Sequence, residues 1–318
     1  MKVLITNTVP PNVLESLNGI AEVIQGPDGG KLMSREEVMA LAPNLDAIIN
    51  QAELKVDEEL LRLAPKLKIV ANVAMGTNNL DLDAMTKHGV WATNVPEAFT
   101  DSTADCTLGL ILGLARRLHI ADRYVRTDTW QEDGFQPGVW DGMLLAGKTL
   151  GIVGYGRIGM AVEARAKAFG MIVIFNNRSN QDHANYRSLD DLLQESDIVS
   201  LHTPLTPDTH HLIGRPQLQH MKKGASLINM ARGAVVDEQA LVDVLQNGHL
   251  KGAALDVFED EPKVHPALLT MDNVLLTPHI GGGTVESREQ ARRLCVDNIS
   301  AVLKGLAPLT PVNNIKGE

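Results

Sequence analysis

Three polar residues in the second half of the chain each follow a short apolar run that is predicted to be a strand. They are Arg232, Glu261 and His279. A guanidinium binds a carboxylate through two parallel hydrogen bonds, and an imidazolium gives a proton to a carbonyl oxygen. A carboxylate orients such an imidazole and favours its charged form. Together the three side chains predict a catalytic site for the reduction of a 2-keto acid.

Each of these residues also has an ordinary structural interpretation when it is taken alone. An arginine beside a glycine is usually solvated, a glutamate in an acidic run usually lies on the surface, and a histidine after a proline usually occupies a turn. The functional hypothesis depends on their joint occurrence at the ends of successive strands. The other nine of the ten histidines are assigned to ordinary structural roles, and no metal is predicted.

A glycine-rich loop supplies the second chemical signal. The apolar run Leu150–Val153 leads directly into this loop, and a helix rich in alanine follows it. Glycines permit a tight turn, a close approach of the backbone to a pyrophosphate and close packing of helix on strand. This order of elements predicts that a dinucleotide cofactor binds the loop residues Gly154, Tyr155, Gly156, Arg157, Ile158 and Gly159.

The next predicted strand indicates which dinucleotide is preferred. In folds that prefer NAD, this strand ends on an acidic residue that accepts hydrogen bonds from the adenosine ribose. Here Asn176 is expected at that place, so no carboxylate repels a 2′-phosphate. Asn177, Arg178 and Ser179 follow and are predicted to contact the cofactor, with Arg178 and Ser179 binding the phosphate. NADP(H) is therefore predicted to be preferred, with NAD(H) as a possible substitute.

The elements that must position these residues form two alternating series. In the first 96 residues, runs read as strands alternate with amphipathic stretches, and the same alternation begins again at Thr149. Such alternation predicts parallel sheets flanked by helices. The predicted strands are Val3–Ile5, Ala47–Ile49, Leu67–Val73, Val90–Ala92, Leu150–Val153, Ile172–Phe175, Ile198–Leu201, Ser226–Ile228, Gly252–Leu255 and Val274–Leu276.

Two α/β domains are therefore expected, both with doubly wound parallel sheets and with a cleft between them. A Rossmann cofactor domain is predicted over 99–286, and a flavodoxin-like substrate domain over 1–98 and 287–318. One long helix is predicted from about Ser102 to Arg126, followed by an extended connector over 130–142. A last helix, from about Val285 to Leu303, is expected to return to the first domain.

Composition excludes several classes of protein. Of the 318 residues 44% are hydrophobic and 21% charged, which is typical of a globular protein. A net charge of −10 disfavours nucleic acid and anionic membranes as partners. The longest apolar stretch, Cys106 to Ala115, is about half a bilayer span and is predicted to be a buried helix. Two cysteines form neither a disulfide framework nor a metal cluster, which favours a cytoplasmic protein.

The sequence resembles the D-isomer-specific 2-hydroxyacid dehydrogenase family over nearly its whole length, and within it the glyoxylate/hydroxypyruvate reductases. One departure is Gly281-Gly282-Gly283-Thr284, where many relatives have Gly-Ser-Ala-Thr, so a small hydroxyl near the site is missing. The segments that carry the resemblance are Gly154–Gly159, His202–Thr206, Asn229–Gly233, Ala254–Pro262 and Thr277–Gly281.

The resemblance implies a role for individual residues. It implies that Arg232, Glu261 and His279 are catalytic, and that backbone N–H groups around Met75 and Gly76 hold the substrate carboxylate. It also implies a homodimer joined through the cofactor domains, with the helix after Ser102 as a dimer element. Further cofactor contacts are implied for His202, Thr203 and Pro204 on the adenosine side, for Met230, and for Asp256 at the nicotinamide carboxamide.

Three functions are compatible with the sequence. The first is reduction of glyoxylate, hydroxypyruvate or a similar short 2-keto acid to a D-2-hydroxy acid. The second is phosphite dehydrogenation, which is disfavoured because such relatives carry a lysine where this chain has Met75. Phosphoglycerate is disfavoured too, because the segment Asn50-Gln51-Ala52 lacks an arginine for the substrate phosphate. The third is a dinucleotide-sensing binding protein of the corepressor type, which the absence of a basic patch disfavours.

Overall fold

The protein divides into two compact units, Met1–Phe99 with Gly283–Glu318, and Thr100–Gly282. The computed structural model describes residues 1–51, 53–179 and 182–315. Ala52, one of the residues weighed against a phosphoglycerate substrate, lies outside the described residues.

The first unit, Met1–Phe99 with Gly283–Glu318, contains a parallel sheet with the strand order β2-β1-β3-β4-β5. This order reverses direction beside β1 and is the flavodoxin-like one. The strands are β1 (Lys2–Ile5), β2 (Glu22–Gln25), β3 (Ala47–Asn50), β4 (Ile69–Asn72) and β5 (Trp91–Thr93). The helices, numbered in chain order, are α1 (Arg35–Leu41), α2 (Glu58–Leu63), α3 (Leu82–Lys87) and α11 (Val285–Leu303).

Both faces of this sheet are covered by apolar side chains. On one face α11 contributes Ala291, Cys295 and Ile299 to a core shared with the strands. On the other face α1, α2 and α3 contribute residues such as Val38, Leu60 and Met85. Because both faces are buried, the inner strands read as continuous apolar runs, and this made them recognisable in the sequence.

The second unit, Thr100–Gly282, contains a parallel sheet in the order β11-β10-β9-β8-β6-β7. The strand order changes direction between β6 and β8, the place where ligands of such sheets bind. The strands are β6 (Thr149–Val153), β7 (Ile172–Asn176), β8 (Ile198–Leu201), β9 (Ser226–Asn229), β10 (Gly252–Leu255) and β11 (Val274–Leu276). The helices are α4 (Thr100–Ala115), α5 (Leu118–Val125), α6 (Thr129–Asp133), α7 (Arg157–Ala168), α8 (Leu189–Glu195), α9 (Arg215–His220) and α10 (Glu238–Gln246).

The predicted fold class is confirmed, and three details of the prediction are wrong. The connector that was expected to be extended over 130–142 begins with helix α6, Thr129–Asp133. The single helix expected over Ser102 to Arg126 is divided into α4 and α5. The division occurs because Arg117, between them, adopts a left-handed conformation at φ 53°, which interrupts the helix. Strand β2 was not predicted, because it is an edge strand whose end residues, Glu22 and Gln25, are exposed. An edge strand lacks the apolar run of a strand that is buried on both faces.

Helix α4 is buried and packs against α7, with Ala104, Leu108 and Ile111 in their shared core. Within the described ranges, no helix is long and apolar enough to cross a membrane. The two cysteines, Cys106 and Cys295, are both free.

Candidate active site

The glycine-rich loop joins β6 to α7 at the point where the strand order changes direction. Gly154 has φ +96°, and a Cβ there would lie 2.7 Å from the His202 carbonyl carbon at the end of β8. A Cβ on Gly159 would lie 2.6 Å from the Gly154 carbonyl oxygen, so α7 packs closely on its own strand. At Gly156, the N-cap of α7, no atom lies within 4 Å of the place that a Cβ would occupy. This geometry lets the helix N-terminus accept a phosphate at close range.

The residues beside this loop also fit a dinucleotide. His202 Nδ1 and Thr203 Oγ1 are buried polar atoms without a hydrogen-bond partner among the described residues. His202 Nε2 lies 2.8 Å from Ser200 Oγ, and burial lowers the pKa of His202 to about 3, so its imidazole is neutral. Buried polar atoms normally have partners. These two atoms at this edge of the sheet therefore fit a ligand that supplies their hydrogen-bond partners. Pro204 continues the same segment.

The two adjacent asparagines at the end of β7 contact different parts of the second unit. Asn176 is the last residue of β7, and its side-chain amide donates to the Arg187 carbonyl, 2.9 Å away. The following residue, Asn177, instead donates from Nδ2 to the Tyr155 carbonyl in the glycine loop, 3.2 Å away. Of the two asparagines, Asn177 therefore lies beside the glycine loop. Either way, no carboxylate stands there.

Tyr155 takes part in this region through its backbone. Its ring stacks on Phe175, with ring centroids 3.8 Å apart and planes 8° apart. Its hydroxyl donates to Glu163, and burial together with this hydrogen bond raises the pKa of Tyr155 to about 12. The phenol is thus held against β7, and the loop carbonyl is left to bond Asn177.

The three predicted catalytic residues lie at the carboxyl ends of the neighbouring strands β9, β10 and β11. His279 Nδ1 lies 2.9 Å from Glu261 Oε2. Their side chains are 50% and 35% exposed, so the pair is open to a ligand. With Nδ1 bound to the carboxylate, the other ring nitrogen is left to exchange a proton.

The environment of Glu261 keeps its carboxylate ionised. Burial opposes ionisation, but hydrogen bonds from His279 and from the Phe258 backbone N–H outweigh it and hold the pKa of Glu261 below its ordinary value. A carboxylate that stays charged in this position stabilises a positive imidazole beside it.

Arg232 lies next to this pair on a backbone that is fixed by its neighbours. The buried Asn229 side chain accepts from Ala231 N–H at 3.0 Å and donates to the Arg232 carbonyl at 3.1 Å. A Cβ on Gly233 would lie 1.8 Å from the Phe258 carbonyl, so only glycine allows the loops after β9 and β10 to approach this closely. Burial lowers the pKa of Arg232, and attraction to Glu261 opposes this change. Because a guanidinium stays protonated at any ordinary pH, Arg232 is a cation beside the His279–Glu261 pair.

Asp256 has a structural role that sequence reasoning missed. Its buried carboxylate accepts hydrogen bonds from Thr277 Oγ1 at 2.6 Å, Ile280 N–H at 2.8 Å and Gly281 N–H at 2.7 Å. These bonds close the turn that holds His279 in the left-handed region at φ 53°, which is uncommon for a residue other than glycine. Met230 lies against the same turn, since a Cβ on Gly281 would come within 2.7 Å of its Cε.

The predicted substrate-binding loop around Met75 and Gly76 belongs to the first unit. The Asn94 amide donates to the Met75 carbonyl at 2.7 Å, and the Asn72 amide donates to the Gly76 carbonyl at 3.0 Å. Because C=O and N–H of one peptide point in opposite directions, these bonds also aim the following N–H groups, of Gly76 and Thr77. The asparagines were not singled out in the sequence, where they look like ordinary strand ends.

Taken together, the second unit is a doubly wound dinucleotide-binding domain that carries an arginine and a carboxylate–imidazole pair at one edge of its sheet. Residues 108–281 match the model of the D-isomer specific 2-hydroxyacid dehydrogenase NAD binding domain. The chain is also 43% identical to the glyoxylate reductase of Thermococcus litoralis over 320 residues, covering 98% of this chain and 96% of the relative. The chain therefore belongs to the D-isomer-specific 2-hydroxyacid dehydrogenases, which confirms the resemblance, and is an oxidoreductase with a nicotinamide dinucleotide cofactor.

Solved structures agree with this assignment. A protein from Thermus thermophilus superposes with a TM-score of 0.93 at 41% identity, covering 98% of this chain and 100% of its own. The NADPH-dependent glyoxylate/hydroxypyruvate reductase of Sinorhizobium meliloti, solved with NADP and malonate, superposes with a TM-score of 0.84 at 32% identity. The two alignments extend over whole chains, since the second covers 98% of this chain and 96% of the other.

Proposed function

We propose that this protein reduces glyoxylate, hydroxypyruvate or a similar short 2-keto acid to the D-2-hydroxy acid. The observation that carries the proposal is the His279–Glu261 hydrogen bond beside the Arg232 guanidinium, at the ends of adjacent strands. The relatives are a glyoxylate reductase and a glyoxylate/hydroxypyruvate reductase, which supports the substrate class.

Each side chain of this group has its own proposed role. When bound, the reduced nicotinamide supplies the hydride for the keto carbon. His279 gives its proton to the carbonyl oxygen, since its Nδ1 is engaged by Glu261 and its other nitrogen is the acid. Arg232 binds the substrate carboxylate and polarises the carbonyl. Glu261 is a positioning residue, which orients the ring and stabilises its charged form.

The substrate carboxylate is proposed to bind backbone N–H groups of the loop at Met75 and Gly76. The asparagine bonds to the two carbonyls of this loop fix the peptide planes before a ligand arrives. Preorganised N–H groups bind an anion without the entropy cost of ordering the loop. Met75 offers no positive charge, which fits a carboxylate better than a phosphite dianion.

A panel of 2-keto acids tests this function. Glyoxylate and hydroxypyruvate are expected to be reduced with a higher kcat/KM than pyruvate or bulky 2-keto acids, and the product of hydroxypyruvate is expected to be the D isomer. The same panel with the His279→Ala variant measures contaminating host reductases. A preference for a branched or aromatic keto acid contradicts the substrate assignment. The absence of turnover with every 2-keto acid contradicts the enzyme hypothesis and favours a dinucleotide-sensing role.

We propose that the cofactor is bound by the glycine loop and by the segments after β7, β8 and β10, and that NADPH is preferred. Asn177 stands beside the glycine loop where a carboxylate would repel a 2′-phosphate. Arg178 and Ser179 follow on the exposed side of the same loop, where a cation and a hydroxyl can bind that phosphate. The related Sinorhizobium meliloti enzyme is described as NADPH-dependent, which supports this choice.

We further propose a homodimer joined through the second unit. Apolar and aromatic side chains there line an open groove formed by Tyr124, Val125, Trp130, Phe135 and Trp140. Phe135 is 87% exposed, and burial of such a side chain in a partner is favourable. The cytoplasmic location that the sequence favours stays a prediction.

Light scattering on the full chain tests the dimer and is expected to give twice the chain mass. Phe135→Ser is expected to shift the equilibrium towards the monomer because it removes apolar area from the interface. Leu269→Ser is the matched control, since Leu269 is also exposed but lies outside this groove. A monomer mass at all concentrations contradicts the proposal.

A further inference from the structure

Two histidines and a glutamate of the second unit lie close together and take no part in the proposed reaction. His210 and His211 lie in the segment after β8, and Glu259 lies in the segment after β10. Their potential ligand atoms all lie within 4.8 Å of one another. His211 Nε2 is 2.5 Å from Glu259 Oε1, and the two imidazole rings stack with centroids 4.1 Å apart.

The backbone brings the two adjacent imidazoles to one side of the chain. The two residues lie in a turn, in which His210 N–H donates to the Thr206 carbonyl at 3.0 Å. His211 is in the left-handed region at φ 51°, and its N–H is held by the Ala234 carbonyl at 2.8 Å. The conformation is uncommon for a residue other than glycine, and here it places both rings against Glu259.

The glutamate is fixed from a second direction. Glu259 N–H donates to Glu238 Oε1 at 2.7 Å, and Glu238 N–H lies 3.4 Å from Glu259 Oε2. Glu238 is buried at the start of α10, so the Glu259 backbone is anchored to a helix. The other carboxylate oxygen, Oε1, faces His211.

We propose that His210, His211 and Glu259 form a binding site for a divalent transition-metal ion, with Zn²⁺ as the best match. Imidazole nitrogen and carboxylate oxygen are ligands that Zn²⁺ prefers, and three protein ligands leave a fourth position for water. The side chains of His211 and Glu259 are 36% and 34% exposed, so an ion reaches them from solvent.

The geometry requires only side-chain adjustment. Ligand atoms of a tetrahedral zinc site lie about 3.3 Å apart, given bonds of about 2.0–2.2 Å. Here His211 Nε2 and Glu259 Oε1 must separate by less than about 1 Å from their 2.5 Å contact, and the remaining pairs start within 4.8 Å. The metal–nitrogen bond replaces the hydrogen bond at His211 Nε2. A charged ring releases its Nε2 proton to solvent. In a neutral ring the single proton lies in the Nε2 hydrogen bond to Glu259, and it moves to Nδ1 by exchange with solvent when the metal binds.

Such an ion ties the segment after β8 to the segment after β10. Because it binds the folded chain and not the separated ligands of the unfolded one, it stabilises the folded state by mass action. Binding is independent of the proposed keto-acid reduction, so neither result depends on the other.

Isothermal titration of Zn²⁺ into the untagged full chain tests the site, with thermal unfolding as a second readout. One ion per chain is expected to bind and to raise the Tm. His210→Asn and Glu259→Gln are each expected to weaken binding at least about tenfold and to remove the Tm rise. Because His210 is exposed, its replacement leaves the fold intact, and circular dichroism checks both variants.

Two histidine–carboxylate pairs serve as controls. His88 lies 3.2 Å from Glu58 in the first unit, and His88→Asn is expected to leave Zn²⁺ binding unchanged. His279→Ala is likewise expected to retain it. Equal affinity in the wild type and in His210→Asn overturns the proposal, and so does loss of binding in His279→Ala alone, which would place the ion on the catalytic pair.

Discussion

Replacement of His279 by alanine is expected to lower kcat for glyoxylate about 10²–10⁴-fold, the range typical of lost general acid catalysis. The ring is the proposed proton donor, and Glu261 holds it at 2.9 Å in the required orientation. The loss is expected in kcat with the dissociation constant of the cofactor nearly unchanged, because the glycine loop follows a different strand, β6. Steady-state kinetics and quenching of protein fluorescence by the reduced cofactor measure the two quantities.

A matched histidine controls for nonspecific effects of the change. His265 is a partly exposed imidazole in the same unit, with Nε2 3.2 Å from Gln239 Oε1, and His265→Ala is expected to keep wild-type turnover. Near-normal turnover in His279→Ala would contradict the assignment of His279 as the proton donor. A large loss in both variants would show that the effect comes from general destabilisation.

Replacement of Arg178 by alanine is expected to raise KM for NADPH about ten- to a hundredfold, with little change in KM for NADH. A charge-assisted hydrogen bond contributes about 1.5–3 kcal/mol, and each 1.4 kcal/mol is about a tenfold change in affinity. Only NADPH carries the 2′-phosphate, so only its binding depends on the guanidinium. The wild type is accordingly expected to show a higher kcat/KM with NADPH than with NADH.

The appropriate control is an exposed arginine outside the cofactor region. Arg62 forms an ion pair with Glu58 within α2, and Arg62→Ala is expected to change neither KM. If Arg178→Ala weakens the two cofactors equally, the residue has a general role in the loop and the proposed phosphate contact is wrong. Equal use of NADH and NADPH by the wild type contradicts the predicted preference directly.

The sequence was sufficient for the fold class and for the order of most elements. The inner strands, for example β8 at Ile198–Leu201 and β10 at Gly252–Leu255, are buried on both faces and therefore read as apolar runs with the observed bounds. The last helix, Val285–Leu303, was also predicted with the observed bounds because glycines precede it. The edge strand β2 lacked this signal because its end residues are exposed.

For the candidate site, the sequence supplied the residue types, and the tertiary structure decided their partners. A motif predicts that Arg232, Glu261 and His279 follow strands, because a parallel sheet collects the ends of its strands at one edge. It does not predict that Asp256 closes the turn under His279, since those bonds join residues more than twenty positions apart and depend on a left-handed backbone.

The sequence likewise could not show which of two adjacent identical residues makes a particular contact. Asn176 and Asn177 are the same residue type side by side, and only the folded chain shows that the second one, which follows β7, reaches the glycine loop. His210 and His211 looked like ordinary loop residues, and they meet Glu259 only because one backbone torsion is left-handed and α10 anchors the glutamate. Apolar periodicity is a local property that the sequence carries by itself. Contacts between polar side chains of distant segments exist only once the sheet has brought those segments together.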